Sequence, residues 1–166
     1  MITICLSARN DEYYSNFVKR LEYSVNFFLY SAGKASYLDK FEFNITDWGS
    51  DRFINEDFKI HDESFQNKIN FFNLKKSFVE KYSHNCPGGF NHDLATNIAS
   101  RRSNMKYSLI MPADQFMDKW SIFNLINFLK LEEKENNFAE ETMFLIPRKS
   151  VNKYFIDKKP SNFFFN

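Results

Sequence analysis

Glycine and proline are scarce here, at four residues each, and cysteine is scarcer still, at two. Two cysteines cannot build the disulfide framework of a small secreted domain, and Cys5 lies in an apolar run; a reduced, intracellular setting is the simpler expectation. So few glycines leave no Gly-x-Gly-x-x-Gly and no Gly-x-x-x-x-Gly-Lys-Ser/Thr run, so neither a dinucleotide fingerprint nor a P-loop is written in the chain. There is no Gly-x-Ser-x-Gly elbow for a serine hydrolase. Nor does any stretch approach the roughly 18 to 20 apolar residues that span a bilayer. Arg9, Asp11 and Glu12 follow the first apolar segment too closely for a signal peptide. Lys plus Arg number 22 against 21 for Asp plus Glu, a net charge of +1, so no broad field draws the chain to nucleic acid. A cytoplasmic protein is expected.

What is abundant is phenylalanine, 21 residues in a chain of 166, taken first as core material. That length is one domain's worth, and no repeat or Pro/Ser-rich linker divides it. Ile2 to Leu6 forms a short β-rich run ending in Ser7-Ala8-Arg9-Asn10-Asp11. Phe17, Leu21, Val25, Phe28 and Leu29 then recur at spacings of three and four, the stripe of a helix, with Asn10 or Asp11 as its N-cap. Phe41 to Ile45 alternates apolar and polar residues as a strand does, and stops at Asp47-Trp48-Gly49-Ser50-Asp51. Strand, helix, strand in that order predicts a βαβ unit and parallel pairing.

Residues 52 to 76 fit short helices or an extra strand equally. Lys76 to Tyr82 is expected as a strand, Asn85 to Gly89 as a turn in which glycine supplies positive φ, and Phe90 to Ala99 as a helix capped by Asn91. A strand follows over Tyr107 to Met111, then a helix from Asp118 to Leu131 carrying Trp120, Phe123, Leu125, Ile126 and Leu129. Thr142 to Ile146 is the last expected strand.

In an open α/β sheet, ligands bind beyond the carboxyl ends of the strands. If the strands are parallel neighbours, Asp11, Asp47, Asp51 and Asp114 converge on one rim, where carboxylates accept from a base or ribose, or hold a cation that neutralises phosphate. Aspartates at strand ends also serve simply as turn formers and helix caps. Trp48 either stacks on a ring there or plugs the rim of the core. His84, Cys86 and His92 are soft ligands within nine residues, but their spacing matches no established zinc pattern.

The order Ile2-to-Asp11, Asp47-Trp48-Gly49-Ser50, Ala95-Thr96-Asn97 and Tyr107-to-Asp114 resembles the nucleotide-binding part of a GT-A glycosyltransferase, similar to family 2, over residues 1 to 150. The resemblance implies an α/β GT-A-like (nucleotide-diphospho-sugar transferase) fold: a mixed, mostly parallel sheet with helices on both faces. It implies transfer of a sugar from a nucleoside diphosphate donor, a UDP-sugar first, to a glycan or lipid-linked acceptor, as in polysaccharide biosynthesis. The donor nucleotide would be contacted by Ser7, Ala8, Arg9, Asp11, Asp47, Gly49, Ser50, Asn97, Arg101 and Ala113. Arg102 joins Arg101 either at phosphate or on a solvated helix face. Asp114 matches the last acid of the Asp-x-Asp motif, the ligand of Mn²⁺ or Mg²⁺. The motif's first acid is Pro112, which offers no side-chain ligand and no N–H. Thr96 stands where the family commonly has Arg. Some 50 residues follow Asp114, the paired acids Glu140 and Glu141 among them, and no catalytic base is assigned. A non-catalytic nucleotide- or glycan-binding module with a degenerate GT-A fold is therefore the other reading. The tail, 151 to 166, mixes lysines with aromatics; it is either simply exposed or in contact with the inner face of a membrane.

Overall fold

The computed structural model describes residues 1–11 and 16–135. The expected strand Thr142–Ile146, Glu140 and Glu141, and the tail from 151 lie outside the described residues. The chain divides into two compact units, Met1–Asn124 and Leu125–Asn166.

Four strands, β1 (Ile2–Ala8), β2 (Phe41–Asp47), β3 (Ile69–Asn73) and β4 (Tyr107–Ile110), form one sheet in the order β3-β2-β1-β4. Every pairing among these four strands is parallel. β1 and β2 are buried along their whole length.

The register sets the two faces. Ile2, Ile4 and Leu6 pair with Phe41, Phe43 and Ile45, so all six side chains share one face. Helix α1 (Phe17–Lys34) covers it, with Phe28 edge-on to Phe41 and Phe43 at 5.0 and 5.2 Å between ring centroids. Thr3, Cys5 and Ser7 share the opposite face with Glu42, Asn44 and Thr46. There helix α4 (His92–Ser100) is laid, Asn44 Nδ2 donating to the carbonyl of Ala99 at 3.0 Å. Helices on both faces, as expected, thus follow from two different surfaces of the same strands.

Three local expectations are corrected. Lys76–Ser83 is helix α3, not a strand. Its apolar residues Phe78, Val79 and Tyr82 fall at i, i+1 and i+4, one helical face, and the Phe78 and Tyr82 rings touch at 4.7 Å between centroids. The N-cap of α1 is Asn16, in the left-handed region at φ 61°, because Asn10 and Asp11 are tied to the rim instead. In helix α5 (Lys119–Glu135) the buried stripe is Ile122, Ile126 and Leu129, while Trp120 and Phe123 are exposed. The open segment 52 to 76 contains both a one-turn helix, α2 (Ile54–Asp57), and the extra strand β3. As expected, Asn91 caps α4, its Oδ1 accepting from the N–H of Leu94, and Gly88 and Gly89 have positive φ. No helix among the described residues is long and apolar enough to cross a membrane.

Candidate functional site

The strand order locates the place where a crevice must open. From β1 the chain moves outward to β2 and β3, then returns to the other side of β1 for β4. The strand order therefore reverses between β1 and β4, and the gap between their carboxyl ends is a topological switch point. A cleft of about 300 Å³ lies there. Its walls are Ser7 from the end of β1, Pro112, Ala113 and Asp114 just beyond β4, Phe17 and Arg20 from the first turn of α1, and His92 from the start of α4.

Ser7 is 8% exposed, and its Oγ is hydrogen-bonded to Nδ1 of His92. Thr96, one turn further along α4, donates its hydroxyl to Ser7 Oγ at 3.5 Å. Arg20 lies over the ring of Phe17, and its Nη1 is 3.9 Å from Oδ2 of Asp114, whose side chain is 53% exposed. Gln115 N donates to the carbonyl of Pro112, closing a turn just beyond β4. The chemistry on offer is one guanidinium, one carboxylate, an imidazole and a hydroxyl.

Of the expected donor residues, Ser7, Ala113 and Asp114 line this cleft. The others have definite places elsewhere. Asp47 is fully buried, and its two oxygens accept from the backbone N–H of Ser50 at 3.0 Å and of Ile54 at 2.8 Å, fastening the turn and starting α2. Ser50 in turn accepts from the N–H of Asn10. Gly49 has φ +68°, and a Cβ there would come within 2.8 Å of Val79, so only glycine fits. Trp48 plugs the core rim: it is fully buried, edge-on to Phe78 and Phe90, its Nε1 donating to Ser83 Oγ and to the carbonyl of Gly89. Arg9 grips Asp11, the carbonyl of Gly88 and the face of Phe90, pinning the glycine turn to the end of β1, and Ala8 gives its carbonyl to Trp48 N. Asp51 pairs with Lys76 at the surface.

On α4 the inward residue is Thr96, and Asn97 is exposed. Arg101 and Arg102 follow the C-terminus of that helix, where Ser103 bonds Thr3 near the start of β1, so they belong to the opposite end of the sheet from the cleft. The convergence of four aspartates on one pocket does not occur; Asp114 alone reaches it. Arg20 and Phe17 carry no motif, and His92 stands out in the sequence only beside Cys86 and His84. Among the described residues no three His, Cys, Asp or Glu side chains come together to hold a metal ion.

The donor set at Asp114 does not fit a divalent cation. Pro112 and Ala113 bring no side-chain ligand, and the one carboxylate already faces a guanidinium, beside which a second positive charge is repelled. No protein-family profile matches the chain, and no curated protein sequence matches it.

Proposed function

We propose that the chain is a glycosyltransferase that takes a sugar from a nucleoside diphosphate donor, a UDP-sugar first, and passes it to a glycan or lipid-linked acceptor. The observation that carries this reading is the cleft at the switch point between β1 and β4, walled by Ser7 on one strand end and Ala113-Asp114 beyond the other. It supports the reading because an open parallel sheet receives nucleotides at that place, and because the segment 112–114 is where the resemblance sets the donor's diphosphate.

Calorimetric titration of the chain against UDP and GDP, followed by assay of UDP-sugars for hydrolysis, tests it. Micromolar binding of one nucleotide, weakened by Ala113→Trp, and slow release of sugar are expected; no binding of either nucleotide sinks the reading. A second reading, a non-catalytic nucleotide- or glycan-binding module, is favoured by Asp47, whose carboxylate is consumed by backbone N–H groups. Nucleotide binding with no turnover of any UDP- or GDP-sugar distinguishes it.

A further inference from the structure

We propose that the phosphates of the bound donor are held by Arg20, His92 and no divalent cation; this rests on the donor reading above. Charge comes first. Arg20 balances Asp114 among the described residues of the cleft, so the lining itself does not repel a diphosphate, whose own charge the guanidinium and imidazole would meet. The guanidinium presents several N–H groups in a plane, the geometry that phosphate oxygens accept in pairs. It is held on the first turn of α1, its guanidinium carbon 5.9 Å from the centroid of the Phe17 ring.

The imidazole is oriented for the same task. Ser7 Oγ accepts from Thr96 and shares a hydrogen bond with Nδ1 of His92, and we assign the Ser7 proton to that bond. Nδ1 is then the acceptor, and the ring carries its own proton on Nε2. His92 is thereby a hydrogen-bond donor to an oxyanion even as a neutral ring. Ser7 and Thr96 are positioning residues in this arrangement, and Arg20 and His92 are the ligand-contacting ones. When the bond from sugar to phosphate breaks, the electron pair stays with the diphosphate, and both groups face the charge that builds there.

The test is calorimetry of the full chain with UDP, with GDP and with inorganic pyrophosphate, each in EDTA and in Mn²⁺. UDP is expected to bind in EDTA about as well as in Mn²⁺, and pyrophosphate to compete with it. Arg20→Gln and His92→Phe should each weaken UDP in EDTA by roughly tenfold or more, the loss of a charge-assisted hydrogen bond. Arg20→Lys should recover part of the affinity, and unchanged circular dichroism would show that the variants fold. Binding of UDP only with Mn²⁺, or EDTA affinity untouched by Arg20→Gln, overturns the proposal and leaves the donor reading standing. Pyrophosphate binding without UDP or GDP binding keeps the anion site and removes the nucleotide. Failure of all three ligands under both conditions removes both readings.

Discussion

Under α1 the sheet presents Ile2, Ile4, Leu6, Phe41, Phe43 and Ile45; under α4 the same two strands present Thr3, Cys5, Ser7, Glu42, Asn44 and Thr46. Both faces are buried, so the contrast is in how burial is made favourable. On the α1 face it is removal of hydrocarbon from water, worth roughly 25 cal/mol for each Å². On the α4 face it is a chain of satisfied hydrogen bonds: Thr3 to Glu42 and Ser103, Asn70 to Asn44, Asn44 to the backbone of α4, Ser7 to His92. A polar seam adds little net stability but fixes register, since each misplaced group is left buried without a partner. It also delivers polar atoms to the carboxyl edge, and Ser7 at the cleft is its last member. One face supplies most of the stability, and the other brings Ser7 and His92 to the site.

The largest expected effect comes from the apolar face. Phe28→Ala should lose about 3–5 kcal/mol in urea unfolding; a loss below that of the polar-face variants would break the contrast. Next is Cys5, which burial pushes up to about 11 from an ordinary 9.0. Between those values the unfolded chain gives up its thiol proton and the folded chain keeps it, so stability falls as pH rises through that window, by about 2–3 kcal/mol at the upper end. Cys5→Ala should lack that slope when the two are compared at pH 8 and pH 10.5. Asn44→Ala removes the acceptor of Asn70 Nδ2 and one of the donors to the carbonyl of Ala99, which keeps the N–H of Arg102, and should cost about 1–2 kcal/mol by the same measurement. The smallest effect sharpens the contrast most. Thr46 Oγ1 is buried with no hydrogen-bond partner among the described residues, so Thr46→Val should change stability by about 0.5 kcal/mol or less, on the stabilising side. A clear destabilisation would show that the seam continues through Thr46.

Much of the fold is legible in the chain because its signals are local. β2 alternates, the α1 stripe repeats every three or four residues, and Asn91 sits three residues before the N–H that it caps. α3 misleads because Phe78, Val79 and Tyr82 in seven residues satisfy a short strand as well as one helical face; Gly49 and Trp48, far off in sequence, decide it by giving that face something to pack on. The site is less legible for a related reason. Asp47 and Asp114 both end strands, and only the hydrogen bonds of Ser50 and Ile54 separate the capping carboxylate from the one at the cleft. Arg20, on an amphipathic helix, has the pattern of a solvated residue; that α1 starts beside the end of β4 is a fact of tertiary packing.

The burial of Trp48 makes the protein its own optical instrument. The chain has two tryptophans, and they differ in surroundings: Trp48 is sealed beneath the glycine turn, with its indole N–H shared by two acceptors, while Trp120 is 63% exposed. Iodide should quench the red-shifted emission of Trp120 and leave a blue-shifted component from Trp48. Any opening of the 87–89 turn that Arg9 pins would admit water to that indole and move its emission to longer wavelength, so lifting of the rim can be timed by fluorescence with no label added.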